Sequence, residues 1–280
     1  MTHPAIAPGN LAVVTGGAAG IGRALAERLA AEGMVLAILD LGPERLAEAE
    51  AALRAVGAEA VLTIEADVSD RAALERARET LCARFGPPAM LFANAGIQPG
   101  SALFGPDEAW DRVLAVNLRG VIDTVRCFAP GMIARGAPGA IVCTGSKQGI
   151  TTPPGDPAYN VAKAGVKAFT EALAHELRTT EGCAVTAHLL IPGFVFTELN
   201  RNGRSEKPAG AWTPAQMAAF FFDSLDRGDF YILCPDNDVP RTLDERRMAW
   251  AMGDIIENRP ALSRWHPDWE VAFARFVKGA

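Results

Sequence analysis

Three side chains near the middle of the chain could move a proton together. Tyr159 and Lys163 stand four residues apart in "YNVAK", and Ser146 lies upstream in "VCTGSKQG". Oxidising an alcohol needs a base for the hydroxyl proton and an acceptor for the hydride. A free phenol titrates near pH 10 and is a weak base in neutral water, so Tyr159 needs a neighbouring cation to favour its phenolate. Residues i and i+4 share one face of a helix, which would set the Lys163 ammonium beside the ring. Ser146 could hydrogen-bond a substrate oxygen and stabilise charge as it develops. The plain alternatives are a surface helix pair and a loop serine. Ser146 follows an apolar run, and open parallel sheets place their sites at such strand ends, which favours the chemical reading.

The elements that must position these residues show in the alternation of apolar runs with helix-period segments. Strands are expected at 11–15, 34–39, 60–64, 90–93, 140–144 and 185–191, with a last one in "FYILC" at the sheet edge. Between them, stretches such as "RALAERLAAEG" and "RLAEAEAALRAVG" close at Gly33 and Gly57, where a helix C-cap would sit. Continuously apolar strands alternating with helices imply a parallel sheet covered on both faces. The expected fold is α/β, a doubly wound Rossmann-like sheet of about seven strands with a C-terminal helical extension. One domain is expected over 1–280, with a cofactor-binding and catalytic core at 1–196. A substrate lid and its following helix would occupy 197–228, and the last strand and extension 229–280.

The stretch "TGGAAGIGRALAERL" puts Gly16, Gly20, Ile21 and Gly22 between the first strand and the first helix. Backbone there could pass close to a pyrophosphate, with unpaired N–H groups of the helix N-terminus receiving it, or the glycines could serve only a tight turn. Asp40 ends the second strand about twenty residues on, where a carboxylate would accept from a ribose diol and repel a 2′-phosphate. An N-cap for the next helix is its alternative role. Leu41 follows Asp40 and Ala19 precedes Gly20, so neither place supplies the cation that would welcome NADP. Together these residues point to NAD rather than NADP.

With Thr15-Gly16-x-x-x-Gly20-x-Gly22 in place, the chain resembles the short-chain dehydrogenase/reductase family as far as about Thr197. The resemblance implies that Asp67 and Val68 contact the adenine, and that Asn94, Ala95 and Gly96 support the sheet and the cofactor. Asn117 in "VLAVNLRG", Ser146, Tyr159 and Lys163 match the family's catalytic tetrad in order and spacing. In that role Lys163 also hydrogen-bonds the ribose, and Asn117 holds a water that relays protons. Pro192, Gly193, Val195 and Thr197 in "IPGFVFT" are similar to the segment that touches the nicotinamide carboxamide, and family members are usually dimers or tetramers. Two departures stand out. Gly145 replaces a common second serine and Lys147 follows Ser146, and the usual glycine-rich C-terminal close is replaced by a long segment after Cys234.

Composition limits the remaining options. The net charge of −6 carries no Lys/Arg stripe, so neither nucleic acid nor a membrane surface is an expected partner. Five scattered cysteines without ligand spacing suit a reduced, cytoplasmic chain with no metal, and no cleavable leader is expected in "MTHPAIAPGN". His175 is expected to face solvent or a subunit contact, His188 to be a satisfied buried histidine, and Cys143 and Phe220 to Phe222 to pack. The loops at strand ends offer Gln98, Gln148, Phe194 and Trp212 to a small-molecule substrate. They suit a medium-sized, largely apolar secondary alcohol or ketone. An epimerase or dehydratase that uses NAD transiently, or a dinucleotide sensor without turnover, remains an alternative. The tail after Pro235 holds too many large apolar groups to stay in water. It should cross to a neighbouring subunit, or fold back so that Trp265, His266 and Trp269 wall the substrate loops.

Overall fold

Strands made almost wholly of apolar residues have two faces to bury, and here both are buried. In this computed structural model, which describes residues 3–201 and 203–279, seven parallel strands form one sheet in the order β3-β2-β1-β4-β5-β6-β7. They are β1 (Leu11–Thr15), β2 (Val35–Asp40), β3 (Val61–Glu65), β4 (Met90–Ala93), β5 (Gly139–Thr144), β6 (Val185–Ile191) and β7 (Tyr231–Leu233). Each strand lies within a residue of its expected place, and β7 is at the edge as expected. Asp40 ends β2, as expected.

Register sorts the side chains into two rows. Val14, Ile38, Phe92 and Val142 line up across the sheet on one face. They pack with Leu25 and Leu29 of α1 (Gly20–Ala31), Leu46 and Leu53 of α2 (Pro43–Ala55), and Met217 and Phe221 of α8 (Pro214–Asp226). Their neighbours Val13, Ala37, Leu91 and Ile141 face the other way. They meet Leu74 and Leu81 of α3 (Arg71–Phe85), Phe128 of α5 (Val121–Ala134), and Val166 and Leu177 of α7 (Pro157–Thr179). Each buried Leu or Phe contributes about 1.5–3 kcal/mol relative to exposure, so two such layers hold the sheet between its helices.

Strand order reverses between β1 and β4, which opens a crevice beyond their C-terminal ends. Into that region run α4 (Asp107–Leu114), a π-helical turn Ala115–Gly120 and the short α6 (Gln148–Thr151). His188 is buried, its Nδ1 2.8 Å from the Asp229 carbonyl and its Nε2 2.8 Å from Thr186 Oγ1. Cys143, Phe221 and Phe222 are buried too, and His175 is exposed.

The tail folds back on its own chain. After β7 it turns at Asp236 and forms α9 (Arg241–Ile256), which lies beside α6, and then α10 (Glu270–Lys278). Trp250 is its anchor. The indole Nε1 donates to Ser263 Oγ at 2.7 Å, Phe273 and Phe276 meet the ring at 5.4 and 5.2 Å, and the Arg259 guanidinium covers it at 4.0 Å. The expected aromatic wall does not form. Trp269 turns to Trp250, Trp265 is covered by Arg264, and neither of them nor His266 lines the crevice. Aromatic rings that can stack on one another and on arginine bury more surface in a satellite core than beside an open cavity. No helix among the described residues is long and apolar enough to cross a membrane.

Candidate active site

The crevice is a cavity of about 1360 Å³, with a glycine-loop end and a Tyr159 end. At the first end Gly16 has φ +63°, and a Cβ there would come within 2.8 Å of Ala95 Cα, so only glycine lets the loop pass. α1 then starts at Gly20 with Ala19 as an N-cap that makes no side-chain hydrogen bond and with no acidic residue in the first turn. Ala19, Gly20 and Ile21 therefore present open N–H groups and a positive dipole end to the cavity. Gly22 does not reach the cavity. Its Cβ would fall 2.2 Å from the Gly16 carbonyl oxygen, so it is needed for the helix to pack on the loop.

Asp40 Oδ2 accepts from Ala18 N at 2.9 Å and Oδ1 from Leu41 N at 2.8 Å. It is not the N-cap of α2, which is Gly42, and with Leu41 it lines the cavity. Arg45 lines the cavity there as well, a cation that the residues flanking Asp40 and Gly20 do not announce; its Nη2 donates to Glu198 Oε2 at 3.2 Å. Asp67 and Val68 form the next wall, with Asp67 Oδ1 accepting from Ser69 N and Oγ. Asn94 ties three strands. Its Nδ2 donates to the Thr15 and Gly16 carbonyls, and its Oδ1 accepts from Thr144 Oγ1 at 3.1 Å. Ala95 and Gly96 continue that wall, and Pro192, Gly193, Val195 and Thr197 face it. These walls match a dinucleotide cradle in shape and donors: a glycine-lined loop, an uncapped helix start and a carboxylate beyond it.

At the other end the Ser146 hydroxyl faces that of Tyr159, and both residues line the cavity with Lys163. Burial pushes the Tyr159 phenol up to about 12, opposed by Ser146 and reinforced by the Asp156 carboxylate. Burial also pulls the Lys163 ammonium down to about 8. Lys163 Nζ sits 5.6 Å from the Tyr159 ring centroid and donates to the Thr144 carbonyl at 2.8 Å. Asn117, in the π-helical turn, is wholly buried and off the cavity wall. Its Nδ2 donates to the Ile97 carbonyl and its Oδ1 accepts from Ile97 N, both at 2.7 Å. That side chain holds the 94–98 loop.

Residues 10–208 match the family model described as short chain dehydrogenase. The chain belongs to this family. It is 36% identical over 195 residues to the short-chain dehydrogenase/reductase eriH of Hericium erinaceus, spanning 68% of this chain and 76% of that one. It is 35% identical over 192 residues to the D-beta-hydroxybutyrate dehydrogenase of Cupriavidus necator, covering 68% and 72% of the two chains. Among solved structures, a short-chain dehydrogenase/reductase of Burkholderia phymatum in complex with NAD superposes with a TM-score of 0.82 at 31% identity, over 92% of this chain and 97% of that one. The family match stops at 208, so α9 and α10 lie beyond it.

Of the four residues expected at the substrate, Gln98, Gln148 and Phe194 line the Tyr159 end and Trp212 does not. Trp212 packs on Phe220, and its main chain bridges the Phe194 loop, with Trp212 N donating to the Phe194 carbonyl at 2.8 Å. An indole is large enough to be claimed by the nearest apolar layer, here the α1/α8 side of the core. Sequence reading passed over Asp156, whose carboxylate accepts from Gln98 Nε2 and Ser101 Oγ beside Tyr159. Its signal was the "GDPAY" start of a helix, an acidic residue before proline.

Proposed function

We propose that this family member is an NAD-dependent oxidoreductase interconverting a secondary alcohol and a ketone, with Tyr159 as general base in oxidation and general acid in reduction. The observation that carries the reading is the pairing of Ser146 and Tyr159, with buried Lys163 beneath them, at the open end of a cavity whose far end is a glycine loop followed by Asp40. A bound dinucleotide would supply the hydride acceptor or donor and, oxidised, a positive charge close to the phenol.

The chain's own groups do the rest. Ser146 holds the substrate oxygen within reach of the phenol. Tyr159, kept protonated by burial in the free protein, gives its proton to a developing alkoxide or takes one from an alcohol. The Lys163 ammonium, held on the Thr144 carbonyl, sits where it favours phenolate once the site closes to water. Asp40 supports NAD over NADP because its carboxylate lines the cavity where a 2′-phosphate would have to lie, and the nearest cation, Arg45, is engaged with Glu198. The NAD complex of the Burkholderia phymatum relative supports the same choice. Exposed Met252, Ile255 and Ile256 on α9 support a homodimer or homotetramer, which molar mass in solution tests.

Tyr159→Phe should lose at least about a hundredfold in turnover while keeping its NADH affinity. Near-normal turnover in this variant would overturn the assignment. Net NADH formation from a panel of secondary alcohols separates this reading from transient use of NAD and from a sensor.

A further inference from the structure

Lys147 follows Ser146 directly and lines the cavity, and its ammonium reaches Asp236, Asp244 and the backbone at Gly193. Its Nζ donates to Asp236 Oδ2 at 3.3 Å and pairs with Asp244 Oδ2 at 2.5 Å. All three side chains are largely buried, although Asp236 belongs to the turn after β7 and Asp244 to α9. Buried charges persist only when paired, and breaking such a pair strands the remaining charge.

Asp236 does more than neutralise Lys147. The same Oδ2 accepts from Phe194 N at 3.1 Å, and its Oδ1 accepts from Asp238 N and Val239 N at 3.2 and 2.8 Å. The space beneath is full. A Cβ on Gly193 would meet Asp236 Oδ2 and the Pro235 carbonyl at 2.8 Å and Lys147 Nζ at 2.9 Å. Asn237 Nδ2 then donates to the Ala209 and Ala211 carbonyls, one residue before the Trp212 that braces Phe194. The segments carrying Ser146 and Phe194 thus meet at one ionic knot whose carboxylates come from the C-terminal extension, and the neighbouring Asn237 ties in the residues before Trp212.

We propose that Lys147, Asp236 and Asp244 form a positioning clamp through which the C-terminal extension fixes Ser146 and Phe194, making the extension a working part of the substrate end. Lys147 is then a positioning residue. It acts through the loop that places Ser146 opposite Tyr159, and displacing a reacting group by about 1 Å can cost on the order of a hundredfold in rate. The proposal rests on the alcohol/ketone reading for its kinetic consequence and on contacts alone for its structural one.

The test uses the full chain as wild type, Lys147→Met and Asp244→Leu, with 1-phenylethanol and cyclohexanol as probe alcohols. NADH affinity is read by fluorescence titration and local opening by hydrogen exchange. Lys147→Met should lose about 10- to 100-fold in kcat/KM while its NADH dissociation constant moves less than about twofold, with Asp244→Leu smaller in the same direction. Amide exchange should speed up about tenfold at 193–200 and 236–256 and stay unchanged at 11–40. Wild-type kinetics with wild-type exchange would overturn the clamp. So would an equal loss of NADH affinity and turnover with exchange raised throughout, the mark of a merely structural residue. If wild type turns over neither alcohol, the reaction assignment fails, and the exchange pattern by itself decides the clamp. Should Lys147→Met not fold, Asp244→Leu carries the same comparison.

Discussion

At the glycine-loop end of the cavity the walls are main chain, shaped by Gly16, the uncapped start of α1 and the Asp40 carboxylate on Ala18 N. At the Tyr159 end they are side chains: a buried phenol, a buried ammonium and, behind Ser146, an ionic knot of Lys147 with two carboxylates. The first end is set by backbone geometry that only glycine permits, at Gly16 and Gly22. The second carries charged groups that burial opposes. Stability and chemistry should therefore separate at one end and move together at the other.

Lys163→Met tests the separation most strongly. Turnover should fall by about 10²–10⁴-fold, yet the variant should melt no lower than wild type at neutral pH, because an ammonium that burial disfavours has been replaced by an apolar chain. The pH dependence has a definite sign. Lys163 titrates near 8 in the fold against an ordinary 10.5, so between those values the unfolded chain holds a proton that the fold has released. Wild-type stability gains from Lys163 as pH rises through that window, and its cost is fully present below it. Denaturant titrations at about pH 7.5 and about pH 9.5 should show the variant's advantage shrinking at the higher pH. An advantage that grows would contradict the sign.

Gly22→Ala tests the opposite behaviour. A methyl group 2.2 Å from the Gly16 carbonyl oxygen forces the helix off the loop, so about 1–3 kcal/mol of stability and NADH affinity should be lost together. Thermal melts and NADH titration check the coupling. A destabilised protein with intact NADH affinity would show that the loop adjusts freely. A smaller change should follow from Asp40→Ala with Leu41→Arg, which should narrow the preference for NAD over NADP by about tenfold or more, removing one repulsion and adding one charge-assisted donor. Equal use of both cofactors by wild type would refute the premise. Arg45→Ala should matter least, since its half-exposed pairing with Glu198 contributes under about 1 kcal/mol; a melting-curve comparison bounds it.

The same contrast explains what the sequence could disclose. Strands buried on both faces are nearly all apolar, so β1, β4 and β5 stand out as almost unbroken runs. Gly16 and Asp40 sit at spacings that one strand, one turn and one helix dictate. Asn117 and Trp212 were visible as residue types, but their partners, the Ile97 main chain and the Phe194 loop, are set by tertiary packing. Lys147 was visible as a departure, yet its first carboxylate lies 89 residues downstream, a separation that no local period encodes. The tail's apolar content correctly required it to dock. Which aromatics would meet one another depended on Trp250 becoming the centre of a small core around α9 and α10.

Position along the chain also becomes position in time. Synthesis delivers a protein from its N-terminus, and folding begins on what has emerged. The walls from Gly16 to Gly96 exist as sequence before Ser146 and Tyr159 are made, and Asp236 and Asp244 come later still. β7 is the last strand in sequence and lies at the sheet edge, and only the segment after it brings the carboxylates that pair with Lys147. Until then Lys147 is a lysine in water beside an unfinished floor. The glycine-loop walls are thus synthesised ahead of Ser146 and Tyr159, and the carboxylates of the proposed clamp come later again.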